Sequence, residues 1–192
     1  MSLGERGLFH RWAGHKLPPM PYTIDNSHSE IGFVVRHMVV AKVRGHFSKF
    51  DAKVDMKGDD FSTATLDVSI DAGSIDTREE KRDAHLRSAD FFDAEKHPTL
   101  RFVSKAVTKK SATDFAILGD LTMRGVTKEV TLEAEVAPAG KDPWGNQRIA
   151  LSARGKVDRT QWGLNWNQAL EAGGVIVGHE VTLEIDGEII KS

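Results

Sequence analysis

From about residue 22 onward, apolar and polar residues alternate with a period of two in one stretch after another. Phe115, Ile117, Leu121 and Met123 share one phase, with Asp120 and Thr122 in the other. Val126, Val130, Leu132 and Val136 stand against Thr127, Glu129, Thr131, Glu133 and Glu135, and Val181, Leu183, Ile185 and Ile189 against Thr182, Glu184 and Asp186. Successive side chains of a strand point to opposite faces, so each stretch offers one face to a core and the other to water. This patterning predicts strands over 22–25, 30–40, 43–56, 64–71, 99–107, 115–123, 126–138 and 148–159, with a last one from 175 or 178 to 190. Arg124-Gly125 predicts a tight hairpin between two of them. The period changes only after residue 76. Thr77-Arg78-Glu79-Glu80 has the form of a capping box, with Thr77 capping backbone donors and Glu80 reaching back, and predicts one helix over 78–88. One short helix cannot cover so much apolar sheet, so the sheet must close on itself. The expected fold is all-β: an extended antiparallel eight-stranded β-barrel, roughly 33 Å tall, with one short helix inserted after the third long strand.

An eight-stranded barrel is either plugged by its own side chains or holds one small ligand. Small residues in the inward phase, Gly119, Ala134 and Gly187, leave room for a ligand or simply face larger neighbours. Periodicity does not choose between a cavity and a filled core. Two regions are expected: a barrel domain over 22–192 and, before it, an arm over 1–21 that is disordered or weakly helical. Leu8, Phe9 and Trp12 lie at helix-like spacing among basic residues there, and Pro18, Pro19 and Pro21 end any helix.

Composition narrows the chemistry. With no cysteine the chain has no disulfide, thiolate zinc site or iron–sulfur cluster. A formal charge of −2 gives no reason to expect nucleic acid or an anionic membrane as a partner. No apolar run approaches the roughly 18 to 20 residues of a transmembrane helix, and the basic N-terminus lacks the apolar stretch of a secretory leader, which implies a cytoplasmic protein. A Gly-x-Ser-x-Gly elbow, a Walker loop and a dinucleotide glycine signature are all missing, so no catalytic residue is assigned and no enzyme is expected. Of the eight histidines, His28, His37 and His85 are the ones a metal site would use, but their spacings match no local ligand pair.

Several blocks together resemble a known family. They begin with Tyr22-x-Ile24-Asp25-x-x-His28-Ser29-x-Ile31-x-Phe33-x-Val35-x-His37 and Gly45-x-Phe47. They continue with Arg82-Asp83-x-His85-Leu86-x-Ser88-x-Asp90-Phe91-Phe92-Asp93, Pro98-x-x-x-Phe102, Gly119 to Thr127 and Arg159-x-x-Trp162-Gly163-Leu164. In this order they resemble the YceI-like family of polyisoprenoid- or lipid-binding bacterial proteins. The resemblance implies a lipocalin-like barrel that sheathes a long isoprenoid or similar apolar lipid. Many members carry an export signal, where this chain has its basic arm; a periplasmic or extracellular site would follow only from a different N-terminus.

On this reading no cofactor is required, and a bound isoprenoid lipid, such as a quinone tail, is the expected occupant. Alternation and loop position place Ile31, Phe33, Val35, Phe47, Leu66, Val68, Ile70, Phe91, Phe92, Phe102, Phe115, Ile117, Leu121, Trp162 and Leu164 on the wall that meets it. His28, Ser29, Arg82 and Asp83 are expected either to hold structure or to meet a headgroup, with Arg82 and Asp83 finding separate partners because adjacent helical residues diverge. The alternatives are a filled barrel that serves as an interaction protein, with a homodimer through an outer face, and a histidine metal protein.

Overall fold

The computed structural model describes residues 20–38, 40–169 and 175–191. The expected arm lies outside these residues, except that Met20 and Pro21 open the first strand. The first part of the chain forms β1 (Met20–Ile24), β2 (Glu30–His37), β3 (Ala41–Phe47), β4 (Phe50–Lys57), β5 (Asp60–Asp71) and β6 (Ile75–Asp76), then the helix α1 (Glu80–Arg87). The second part forms β7 (Thr99–Lys109), β8 (Asp114–Met123), β9 (Val126–Val136), the short β10 (Gly140–Lys141), β11 (Gln147–Asp158) and β12 (Val177–Lys191). All twelve belong to one sheet, which the pairing of β11 with β12 closes.

These strands make eight staves. β1 and β2 lie end to end along one edge of β12, opposite residues 189–191 and 177–186. β4 and β3 succeed them end to end, β4 against β1 and β3 against β2. β5 and β6 form the third stave in the same way. The ring then runs through β7, β8, β9 and β11 back to β12, each antiparallel to the one before. The result is the expected closed eight-stave meander, with α1 inserted after the third stave.

The interruption of the first stave has a local cause. Asp25 turns the chain into a short 3-10 segment by accepting hydrogen bonds from Ser27 N (3.1 Å) and Ser27 Oγ (2.6 Å). Opposite the break, Glu188 of β12 would be left without ladder partners. The two edges of the break supply them: Asp25 N donates to Glu188 O (2.8 Å) and Glu188 N donates to Ser29 Oγ (3.0 Å).

The predicted capping box is not the one that forms. Arg78 adopts a left-handed backbone (φ 63°), so the helix starts at Glu80 and is capped by Glu79, whose carboxylate accepts from Lys81 N and Arg82 N. Thr77 is held instead by Asp83, whose Oδ1 accepts from Thr77 N (2.9 Å) and Thr77 Oγ1 (2.5 Å). Arg82 reaches the same residue, donating to Thr77 Oγ1 (2.7 Å) and Thr77 O (2.8 Å). The two neighbours therefore converge on Thr77 rather than finding separate partners. At Arg124-Gly125 both residues have positive φ (51° and 75°), the two-residue turn that matches strand twist and links β8 to β9.

The barrel is filled unevenly. Around the hairpin at Gly58 and the C-terminal end of β12, Tyr22, Val54, Met56, Phe61, Phe115, Ile149 and Ile189 are all buried, Met56 to 1% exposure. Phe61 and Phe115 meet edge to face with centroids 5.2 Å apart. Tyr22 Oη donates to Asp59 Oδ1 (2.8 Å), and burial together with that carboxylate pushes its hydroxyl pKa up to about 12. Toward the other end, Ile31, Phe33, Val35, Val181, Leu183 and Ile185 face inward yet are only half-buried.

Candidate functional site: an apolar cavity in the barrel

Those half-buried side chains border a cavity of about 220 Å³, walled by residues from all eight staves. Along β12 alone the wall runs through Val177, Val181, Leu183, Ile185, Gly187 and Ile189. That is roughly 40 Å of strand at about 3.3 Å per residue, so the space is long and thin. Two bulky wall residues are set by glycines beside them. Phe33 lies across Gly45, its ladder partner, where an added Cβ would come within 2.5 Å of the ring. Phe102 occupies the equivalent space over Gly119. Of the two readings open for Gly119, the second holds: it faces a larger neighbour, whose ring takes up its volume.

Of the predicted wall residues, Ile31, Phe33 and Val35 on β2, Phe47 on β3 and Leu66, Val68 and Ile70 on β5 line the cavity. So do Phe102, Ile117 and Leu121, and from the connecting segments Phe91, Phe92 and Leu164. Phe115 and Trp162 do not. Both are buried, but Phe115 is stacked against Phe61 in the packed end. Trp162 sits beneath the 3-10 turn Arg159–Trp162, with Nε1 donating to Leu121 O (3.0 Å). For Phe115 alternation made the inward direction legible but not the depth at which neighbours fill the barrel; Trp162 lies in a turn, where alternation gives no direction. Leu151, Ala153, Val157 and the β12 residues were missed as wall, although the same alternation marks them.

The segments after α1 and after β11 roof the cavity with aromatic rings. Phe33, Phe47 and Phe92 form a chain with centroids 5.9 and 5.8 Å apart. His85 stands edge-on to Trp166 and Phe91 (4.6 and 5.2 Å), which ties the helix to the β11–β12 connection.

The predicted polar residues are mostly elsewhere. His28 is 59% exposed on the outside, paired with Asp25 (Nδ1–Oδ2 3.0 Å), and Arg82 and Asp83 are spent on Thr77. Ser29 does border the cavity, with its hydroxyl bonded to Glu188 N. The cation on the wall is one that sequence reasoning passed over, Arg159, at 4% exposure. It donates to Gly178 O (2.9 Å), Val177 O (3.2 Å) and Leu164 O, and its guanidinium lies 5.7 Å from the Phe91 centroid. Burial pulls its pKa below the usual arginine value. It pins the roof to β12; its place in the Arg159-x-x-Trp162 block was the available signal.

Among the described residues, the groups close enough to share a metal ion are Asp25, His28 and Glu188. Arg148 already occupies them, with Nη1 2.6 Å from Asp25 and 3.0 Å from Glu188, while Nε holds Asp142 at 2.9 Å. A guanidinium so placed supplies the positive charge that a cation would bring. Bonds from Ser27, His28 and Arg148 hold the Asp25 carboxyl far below its usual range, and Arg148 holds Asp142 at about 2. His37 and His85 lie outside this cluster.

Fold and cavity together define a closed antiparallel barrel with an apolar interior. The sequence profile of the YceI-like domain matches residues 22–189, and the chain belongs to that family. It is 38% identical over 168 residues to a UPF0312 protein of Staphylococcus aureus strain USA300, covering 87% of this chain and 95% of that one. The Campylobacter jejuni YceI protein superposes with a TM-score of 0.71 at 26% identity, over 99% of both chains. A polyisoprenoid-binding domain from Saccharophagus degradans shares the fold (TM-score 0.67, 13% identity, 90% of this chain and 99% of that one). Among the described residues, no helix is long and apolar enough to cross a membrane.

Proposed function

We propose that the barrel holds a long apolar lipid, a polyisoprenoid or the tail of an isoprenoid quinone, and acts as its carrier, store or shield without chemistry of its own. The observation that carries this reading is the long, thin space inside a sheet whose inner face is hydrocarbon apart from Arg159 and the edges of Ser29 and Asp186. Such a space suits an extended chain better than a compact ring system. Transfer from water stabilises a chain by about 0.8 kcal/mol per buried CH₂, so a tail needs no reactive group to be retained. The Saccharophagus neighbour, described as polyisoprenoid-binding, supports the same ligand class.

The test is solvent extraction of natively purified protein followed by mass spectrometry, repeated after incubation with quinones and polyprenyl lipids. A stoichiometric isoprenoid is expected. Phe33→Asp and Phe102→Asp should each lose it while keeping the β circular dichroism of the parent. Full lipid retention by both folded variants would mean that the ligand lies somewhere else, and a protein that takes up no lipid at all would sink the reading.

A further inference from the structure

The formal charge of −2 hides a local surplus of cations at one end of the barrel. On the outer face, β2 and β3 set Arg36 directly opposite Lys42, with Arg44 opposite Val34 one step along the same face. Like charges opposed across a ladder destabilise it, so this pairing is not there for the sheet. Among the described residues none of the three makes an ion pair. The nearby carboxylates are already engaged, Glu180 by Lys156 (2.9 Å) and Glu184 by Arg154 (3.6 Å).

Beyond these cations the hairpin ends in aliphatic side chains held in water. Met38 is 55% exposed and Val40 81%. Met38 N donates to Ile176 O (2.8 Å), which brings Val175, also exposed, to the same end. Three of the five exposed large apolar side chains among the described residues are thus gathered at one tip. Met38 also keeps a left-handed backbone (φ 48°), an unfavourable conformation for a side chain that gains no burial from it.

An apolar apex with cations just below it suits the boundary of an anionic bilayer, where aliphatic groups enter the acyl region and cations meet phosphate. The tip also adjoins the cavity. Val35 and Val177 line it, and Val177 pairs with His37 at the base of the apex. A flat acidic protein surface would use the cations but leave Met38 and Val40 in water. We propose that the β2–β3 tip docks this barrel on an anionic lipid membrane, a partner that net charge alone gave no reason to expect. Docking does not depend on what the cavity holds.

The test is flotation of the full chain with vesicles of phosphatidylglycerol and phosphatidylcholine, and separately with phosphatidylcholine alone. Binding should require the anionic lipid and fall as salt rises. Each surface cation contributes about five-fold to partitioning, so the triple variant Arg36→Gln, Lys42→Gln, Arg44→Gln should bind on the order of 100-fold more weakly. Met38→Asp with Val40→Asp should lose binding about ten-fold or more while retaining any cavity lipid. Residues 1–21 are unchanged in these variants, so wild-type binding by either one overturns the proposal and assigns the attachment to another surface. Equal binding to both vesicle types also overturns it, as does no binding to anionic vesicles, which would leave an acidic protein as the partner.

Discussion

The two halves of this barrel are written in the same alternating code and end up in opposite states. Around Tyr22, Met56, Phe61 and Phe115 large buried side chains pack against one another and close the barrel, with Phe61 and Ile189 forming the floor of the cavity. Around Val35, Val68, Val181 and Leu183 the interior is hollow, because short aliphatic side chains on facing staves do not span the diameter. Both halves satisfy the requirement that an inner face be apolar. What separates them is side-chain reach, which places stability at one end and capacity at the other.

The largest effect should come from attacking the packed end. Phe115→Ala removes half of the Phe61–Phe115 contact and should cost about 3–5 kcal/mol in urea unfolding, with lipid capacity retained. Leu183→Ala, which already borders a void, should cost roughly 1 kcal/mol or less. Equal costs would erase the distinction between the halves.

At Gly45 an added methyl would sit 2.5 Å from the Phe33 ring and 2.7 Å from Thr77 Cγ2. Gly45→Ala should therefore cost about 1–3 kcal/mol, and the displaced ring should narrow the cavity, measured as weaker lipid uptake. Ala52→Leu, a wall position, sharpens the comparison from the other direction. It should stabilise the lipid-free protein by about 1 kcal/mol while lowering capacity, trading hollow for solid.

The smallest effect is a change of slope. The Arg148 cluster keeps Asp25 and Asp142 ionised in the folded protein below the pH at which free aspartates take up protons. The stability this contributes is present above about pH 4 and is lost as pH falls toward the folded value near 2. Arg148→Leu should make the acid limb of a pH–stability profile shallower over that window; an unchanged limb would show that the cluster does not couple to folding.

Much of this architecture was legible in the chain. Phe115, Ile117, Leu121 and Met123 declare β8 and its buried face without help, and the two-residue turn at Arg124-Gly125 is equally plain. Thirteen of the fifteen proposed wall residues border the cavity, because alternation reports which way a side chain points. It does not report what stands across the barrel, which is why Phe115 packs against Phe61 rather than bordering the cavity. Nor does it anticipate three-dimensional competition for a partner. Thr77 looked like a helix cap, yet Asp83 and Arg82 claim it through contacts that no local spacing encodes. Arg159, named only as part of a family block, was given no role for the same reason, since its partners are backbone carbonyls of β12 and the roof.

The seam along β12 has a consequence for how the molecule comes into being. This strand follows every other stave in the chain, yet its free edge is matched to the first, through pairs such as Tyr22–Lys191 and Ile31–Ile185. Without β12 the remaining staves would form an open sheet whose apolar face has no enclosure. Closure then depends on contacts between the two extremes of the sheet, the kind that forms slowly. The enclosure of the interior therefore rests on pairs between the two ends of the barrel chain, and a cargo is sheathed only while that seam is closed.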